Sequence, residues 1–213
     1  MPGILYHLTF AEMVALRLKE VLSPADRAEF LAGNLLPDLA KNKALSHFRK
    51  PASLDGMLVP DLQKAAELML PPHRPLLFGA YCHLFLDASF IEEILIATFI
   101  WDKERKTVTS RESGLTVSIG EFFSDNGIYG AYTELNQLLI RDGYVSSELI
   151  DSIPDVIPKT GIEFLDYRRE MSWREELNGY LSEKRAYTGR LLRYEFISER
   201  FNTFADRLAS SLQ

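Results

Sequence analysis

The stretch GAYCHLFLDASF, residues 79–90, places two ionisable residues, His83 and Asp87, among small and apolar ones. The apolar run that contains it predicts a long buried helix over residues 75–100. His83 and Asp87 are four residues apart, so they share one face of this helix. A buried carboxylate needs a compensating partner. Two explanations are open: the pair is a hydrogen-bonded core interaction, or both side chains bind a metal ion.

The composition is that of a globular protein, with 213 residues of which 46% are hydrophobic and 25% are charged. The net charge of −6 gives no general attraction to phosphate backbones, so no nucleic-acid partner is expected. Cys82 is the only cysteine, and its place beside His83, about 100° around the helix, predicts core packing. The sequence shows no signal-peptide pattern and no uninterrupted membrane span, so we expect a soluble cytoplasmic protein.

Apolar residues at helical spacing dominate the chain. Ser23 as N-cap, Pro24 at the first helical position and Asp26 three residues after the cap predict a second helix that ends at Gly33. The other predicted helices cover residues 5–21, 60–70, 75–100, 121–142, 161–185 and 188–211.

Three segments lack a clear helical period. Residues 35–56 and 143–160 contain prolines and are predicted to be irregular. Residues 102–120 are polar and β-branched, which predicts a loop or a short hairpin. Because no repeat, low-complexity tract or long linker is present, we predict a single all-α domain over residues 1–213, built as a multi-helix bundle.

Candidate metal ligands lie within the first 90 residues. His7 lies near the start of the first predicted helix, Asp38 and His47 lie within the predicted irregular segment 35–56, and the predicted long helix supplies an i, i+4 pair. These ligands are His7, Asp38, His47, His83 and Asp87. Imidazole nitrogen and carboxylate oxygen are the ligands of zinc and similar divalent ions. An i, i+4 pair can bind one ion, and a loop can bring Asp38 and His47 to the same ion. A carboxylate that bridges can hold a second ion.

Each of these residues also has a simpler interpretation. A buried histidine is often hydrogen-bonded to the backbone, and an aspartate after a proline, as at Asp38, is often a turn former or a helix cap. The fourth histidine, His73 in PPHRP, is interpreted as a solvated loop residue. The joint pattern of the other three histidines with two aspartates favours the metal site.

Three segments resemble the zinc-dependent phospholipase C family, taken in the broad sense that includes small bacterial hydrolase-like proteins. They are MPGILYHLTFAE with His7, GNLLPDLAKNKALSHF with Asp38 and His47, and LLFGAYCHLFLDASF with His83 and Asp87. The later segment FFSDNGIYGAYTELNQLL resembles the family weakly. The resemblance implies a phospholipase C type helical fold with the metal site between helices, a polynuclear zinc centre, and phosphoester hydrolysis.

The resemblance also implies how the ligands are shared between ions. One ion would be held by four residues, Asp38, His47, His83 and Asp87. Asp87 would bridge to a second ion bound by His7. The expected cofactor is therefore one or two zinc ions, or another divalent metal.

The family has a further zinc site built on downstream histidines, whereas no histidine follows His83 here. Glu92 and Glu93 are the nearest carboxylates that could replace them. The missing leader favours an intracellular phosphoester over extracellular phospholipid.

Two further roles complete the predicted mechanism. A bound ion lowers the pKa of its water towards ~7 and stabilises charge on a phosphoryl group. Asp38 is the predicted general base, provided that its carboxylate is not fully committed to the metal. Arg49 and Lys50 follow His47 and are predicted to bind a substrate phosphate, or else to be solvated loop charges.

The sequence thus predicts a metal-dependent phosphoester hydrolase that acts on a small-molecule phosphoester or a lipid head group. One alternative is an HD-type phosphohydrolase, although the chain lacks the adjacent His-Asp dipeptide of that class. Another is a non-catalytic helical protein that holds a structural ion in a closed four-ligand shell, or a ligand in a cleft.

Overall fold

The computed structural model describes residues 3–52, 57–70, 74–104, 106–166, 172–182, 188 and 191–212. These residues are mostly helical, and a π-helical segment, Phe90–Leu95, follows the fifth α-helix. The α-helices are α1 (Ile4–Arg17), α2 (Pro24–Leu39), α3 (Lys43–Ser46), α4 (Leu62–Met69), α5 (Pro75–Ser89), α6 (Ile96–Thr98), α7 (Ile119–Phe122), α8 (Ile128–Arg141), α9 (Ser147–Asp151), α10 (Glu163–Asp166), α11 (Trp173–Ser182) and α12 (Tyr194–Leu212).

The start of α2 confirms the predicted cap, but its end differs from the prediction. Ser23 and Asp26 form a capping box in which each side chain accepts from the backbone N–H of the other residue. Gly33 does not end the helix, which continues through Pro37 to its last residue, Leu39. The reason is packing: a Cβ at Gly33 would lie 1.8 Å from the Leu76 carbonyl oxygen on α5. This glycine permits a close helix contact.

Two small antiparallel sheets correct the all-α prediction. One pairs β1 (Arg49–Pro51) with β2 (Leu58–Pro60), and the other has the order β3-β4-β5. The strands of the second sheet are β3 (Phe99–Trp101), β4 (Thr107–Ser110) and β5 (Thr116–Ser118). The hairpin between β4 and β5 confirms one of the two predictions for residues 102–120. The remaining strands have three residues each, which is too short for a clear period-2 pattern.

The later helices follow the sequence prediction in outline. The region predicted as one helix over 161–185 contains α10 and α11, and residues 167–171 and 183–187 lie outside the described part of the chain. The connection at 143–160 includes the short helix α9, which Ser146 caps by accepting from the Leu149 N–H.

The first and last helices pack together around an aromatic group. Tyr6 on α1 makes edge-on contacts with Phe90, Tyr132 and Phe201, with ring centroids 5.7–6.4 Å apart. These rings belong to one hydrophobic cluster, which includes residues of α1, α2, α5, α8 and α12. The description of residues 1–213 as a single domain stays a prediction.

Candidate metal centre

Five side chains converge where α1, α2, α5 and the α3 region meet. We call them the His/Asp cluster: His7 on α1, Asp38 near the end of α2, His47 directly after α3, and His83 and Asp87 on α5. All are buried except Asp38, whose side chain is 18% exposed. The structure therefore brings together the five principal candidate ligands that the sequence suggested, but not Glu93, which pairs with Arg207.

Close packing of α2 against α5 fixes the middle of this cluster. A Cβ at Gly79 would lie 1.9 Å from the carbonyl oxygen of Phe30, so only glycine fits between the two backbones. One turn later on α5, His83 Nδ1 lies 2.8 Å from the carbonyl oxygen of Asn34 on α2. The glycine contact thus places the His83 ring against α2, on the side that also carries Asp38.

The buried Asn34 amide links α1 to α5. In the orientation that satisfies both neighbours, Nδ2 donates to the His7 carbonyl oxygen at 2.9 Å, and Oδ1 accepts from the His83 N–H at 3.3 Å. Asn34 therefore contacts the backbone of two members of the His/Asp cluster. The sequence analysis did not identify this residue, although its place four residues before Asp38 puts both on one side of α2.

The ligand atoms of the cluster fall into two groups that share His83. Three atoms from His7, His83 and Asp87 lie within 4.8 Å of one another, and so do three from Asp38, His47 and His83. Ligands of a tetrahedral zinc ion lie about 3.4 Å apart, given bonds of about 2.0–2.2 Å. Each group is therefore compact enough for its atoms to approach a common ion.

Asp87 faces imidazoles on two sides. Its Oδ1 lies 3.3 Å from His7 Nε2, and its Oδ2 lies 3.6 Å from the Nε2 atoms of both His47 and His83. His47 Nε2 also lies 3.8 Å from Asp38 Oδ1. One carboxylate oxygen is thus directed to each half of the cluster, which is the geometry of a bridging carboxylate.

Hydrogen bonds at Nδ1 leave the Nε2 atoms of two histidines directed into the cluster. His83 Nδ1–H donates to the Asn34 carbonyl oxygen at 2.8 Å, and His47 Nδ1–H donates to the Lys43 carbonyl oxygen at 2.9 Å. Ser46 Oγ, which donates to the Pro37 carbonyl oxygen, lies 3.0 Å from the same His47 nitrogen. Metal-binding histidines are commonly oriented by such a bond to a carbonyl oxygen.

The buried carboxylate of Asp87 lacks ordinary hydrogen bonds. Among the described residues, neither Asp87 oxygen has a hydrogen-bond partner, and His83 Nε2 has none either. Leaving a buried polar group in this state costs about 1–3 kcal/mol, and more for a charge. A bound cation removes this cost by coordinating the carboxylate oxygens and the imidazole nitrogen together.

The pKa values follow from burial and from the neighbouring charges. Burial, followed by repulsion between the imidazoles, lowers the pKa of His47 and of His83 to about 4, so both rings are neutral at pH 7. Burial raises the pKa of Asp87. At Asp38, burial favours the protonated form, but the attraction of His83, His7 and Lys43 together holds the pKa well below its usual range. Neutral imidazole is the form that binds metals.

The remaining predicted residues lie elsewhere. Arg49 and Lys50 are exposed on β1, and Lys50 Nζ lies 3.0 Å from Asp61 Oδ1. Glu93, a candidate zinc ligand, forms an ion pair with Arg207 of α12 at 2.6 Å. Cys82 is fully buried in the hydrophobic cluster, as expected.

Three further positions lie outside the set of predicted site residues. His73 was interpreted as a solvated loop residue and lies outside the described residues. Phe48 has a φ of 46°, a left-handed conformation that bulky residues rarely adopt, directly after His47. Lys43 Nζ lies 2.7 Å from Asp38 Oδ1. Neither the backbone conformation of Phe48 nor the contact between Lys43 and Asp38 was predicted from the sequence.

None of the helices in the described part of the chain is both long and apolar enough to cross a membrane. Comparison of the sequence and the fold with protein-family models, with curated proteins and with solved structures gave no match.

Proposed function

We propose that the protein is a metal-dependent phosphoester hydrolase whose cofactor is zinc, bound by the His/Asp cluster. The observation that carries the proposal is the buried carboxylate of Asp87, which has one oxygen 3.3 Å from His7 Nε2 and the other 3.6 Å from two further imidazoles. Two neighbouring divalent ions bridged by one carboxylate are a common basis for phosphoester hydrolysis.

The proposed ligands divide into two sets. One ion takes Asp38, His47, His83 and the Oδ2 atom of Asp87. A second takes His7 and the Oδ1 atom of Asp87. The distances of 3.3–3.8 Å between the paired atoms support this division. The same division follows from the resemblance to the zinc-dependent phospholipase C family, and we extend the proposal to a helical arrangement of that type.

Bound zinc would act as a Lewis acid and lower the pKa of a coordinated water towards ~7. The chain's own residues then supply the remaining functions. Asp38 is the proposed general base because it is the most exposed member of the cluster and its carboxylate is ionised, although its lowered pKa makes it a weak base. Arg49 and Lys50, exposed on strand β1, which begins two residues after His47, remain the proposed phosphate contacts.

Burial of the cluster favours a second candidate, a structural ion. Four of the five side chains are at most 3% exposed, and a closed shell of protein ligands would leave no position for a substrate. This candidate predicts metal binding and metal-dependent stability without turnover.

The deciding experiment joins metal analysis to an activity panel. Protein purified without chelator or affinity-column metal is analysed for zinc, manganese and iron, and is then assayed on phosphomonoesters and phosphodiesters with zinc, with manganese or with EDTA. The variants are Asp38→Asn and Asp87→Asn, and Glu67→Gln, an exposed carboxylate on α4, is the matched control.

The hydrolase proposal expects turnover that requires metal, that falls by a factor of at least about 100 in Asp38→Asn, and that is unchanged in Glu67→Gln. Stoichiometric metal without turnover on any substrate would favour the structural ion. Protein that neither contains a divalent metal nor takes one up would contradict both candidates.

A further inference from the structure

A pocket of about 550 Å³ is lined in part by Lys43, whose Nζ lies 2.7 Å from Asp38 Oδ1 of the His/Asp cluster. Its volume is in the range of pockets that bind small molecules. We call it the Lys43 pocket; it is lined by Lys41, Asn42, Lys43, Leu45, Glu163 and Phe164. Its walls come from the α3 region and from α10, so it is formed by parts of the chain that are distant in sequence.

Lys43 joins this pocket to two members of the cluster. Its carbonyl oxygen accepts from His47 Nδ1 at 2.9 Å, while its Nζ lies 2.7 Å from Asp38 Oδ1. The side chain is 45% exposed, so the ammonium group reaches the open space as well as the carboxylate. A ligand anion in the pocket can therefore contact Lys43 while it lies beside Asp38.

The position of Lys43 is fixed by its neighbour. Asn42 Oδ1 accepts from the N–H groups of Ala44 and Leu45 at 3.1 and 3.2 Å and holds the chain turn on which Lys43 lies. The Lys43 ammonium is therefore presented from an ordered backbone, which reduces the entropy that a ligand contact would cost.

Part of the pocket wall is apolar. Leu45 is 53% exposed, which is high for a leucine, and Phe164 belongs to the same lining. The Phe164 ring packs edge-on against Phe48 at a centroid distance of 5.5 Å, so the residue after His47 supports this wall. The lining holds two lysines, Lys41 and Lys43, and one carboxylate, Glu163, so its charges leave a net of one positive, which suits a ligand with one phosphoryl group better than one with several.

We propose that the Lys43 pocket binds the leaving group of the substrate, and that the substrate class is a phosphoester with one phosphoryl group and a compact aromatic substituent. Lys43 contacts the phosphoryl oxygens, and the ring lies between Leu45 and Phe164. This inference rests on the proposed function, because it assigns the phosphoryl group to the His/Asp cluster.

Binding of stable phosphonates tests the inference without any turnover. The zinc-loaded full chain is titrated with phenylphosphonate and with methylphosphonate by calorimetry. Burial of the ring predicts that phenylphosphonate binds about tenfold more tightly. Equal affinities of the two ligands would overturn the aromatic part of the inference.

Variants separate the two contacts. Lys43→Met should weaken both phosphonates about tenfold, because one hydrogen bond to a charged group is lost, and Lys43→Arg should restore part of the affinity. Phe164→Ser should weaken phenylphosphonate alone. Lys64→Met, an exposed lysine on α4, is the matched control, and zinc content is measured for every variant.

The outcomes distinguish this inference from the hydrolase proposal. If Lys43→Met retains zinc and wild-type affinity for both phosphonates, the inference is wrong even if the enzyme turns over. If phosphonate binding depends on Lys43 and Phe164 but the phosphoester panel shows no turnover, the pocket binds a ligand with one phosphoryl group and an aromatic ring, whereas the hydrolase proposal and the leaving-group assignment both fail.

Discussion

The imidazole rings of His7 and His83 stack face to face, with centroids 3.5 Å apart and planes 8° from parallel. Their Nε2 atoms approach different oxygens of the same carboxylate, Oδ1 and Oδ2 of Asp87. Two imidazolium rings at this separation would repel each other, so the stack favours neutral rings. Neutral imidazoles around a buried carboxylate form an arrangement that a divalent cation stabilises.

The first prediction is that zinc raises the stability of the folded protein. Binding to the folded state alone adds about 2.7 kcal/mol to the free energy of unfolding at a free zinc concentration 100 times Kd. Thermal unfolding in zinc and in EDTA measures the shift in Tm. His83→Ala should abolish the zinc-dependent shift and Glu67→Gln should retain it. An equal shift in wild type and His83→Ala would place the metal elsewhere.

The second prediction concerns the contact between α2 and α5. Gly79→Ala introduces a Cβ 1.9 Å from the Phe30 carbonyl oxygen, so the two helices must separate. We expect a loss of more than about 3 kcal/mol in the free energy of unfolding, since neither backbone can move without disturbing the core. Because the Asn34 to His83 hydrogen bond spans the same interface, zinc affinity should fall too.

Gly179→Ala provides the matched control. Gly179 lies within α11, and nothing lies within 4 Å of a Cβ built there. Alanine is the better helix former, so this variant should be more stable by about 0.5–1 kcal/mol. Urea unfolding of both variants checks the prediction, and similar stabilities for the two would show that α2 and α5 are not packed as described.

The third prediction tests the left-handed backbone at Phe48, whose φ is 46°. Glycine adopts this conformation freely, whereas other residues incur a cost of roughly 1–2 kcal/mol. Phe48→Gly and Phe48→Ala both remove the ring contact with Phe164, so their difference reports the backbone alone. We expect the glycine variant to be at least as stable as the alanine variant. At positions with a negative φ, glycine is usually the less stable of the two. A less stable glycine variant would contradict the backbone conformation.

Much of the site was predictable because helical spacing is local. Four residues separate His83 from Asp87, and this spacing alone places them on one face of α5. The convergence of His7, Asp38 and His47 on that face was suggested by residue type, since three of the four histidines of the chain belong to the proposed set. In the structure, the ligand atoms of these five residues form two groups of three that share His83, and the atoms within each group lie within 4.8 Å of one another.

The rest depends on contacts between distant segments. Gly33 was predicted as a helix stop because glycine often ends helices, yet here it permits contact with Leu76. A glycine in the sequence is compatible with a helix end and with a close contact between helices. Only the position of α5 shows that Gly33 has the second role. Lys43 and Phe164 were missed for a related reason: a pocket formed by residues more than 100 positions apart leaves no periodic pattern in the sequence.

The last prediction is that acid destabilises the metal-free protein well above the range in which ordinary carboxylates titrate. His47 and His83 have pKa values of about 4 when folded, against 6.5 in the unfolded chain. Between these values the unfolded state binds more protons, so lowering the pH favours unfolding. Each histidine contributes a slope of up to about 1.4 kcal/mol per pH unit.

Asp87 acts in the opposite direction. Its pKa is raised by burial, so the folded state keeps a proton at pH values where the unfolded carboxyl, with a pKa of 3.8, has lost it. Acidification between the raised pKa and 3.8 therefore stabilises the fold and offsets part of the histidine effect. With two histidines against one carboxyl, we expect the free energy of unfolding to fall between pH 6.5 and pH 5.

Urea unfolding in EDTA at pH 7, 6 and 5, at constant ionic strength, measures this slope. His47→Gln removes one titrating group, and its slope should be smaller than that of wild type by up to about 1.4 kcal/mol per pH unit. Saturating zinc should flatten the wild-type profile above pH 6, because metal-bound imidazoles do not titrate there. A wild-type profile in EDTA that is flat from pH 7 to pH 5 would mean that the histidines are not buried as neutral rings, and it would remove the electrostatic basis of the metal centre.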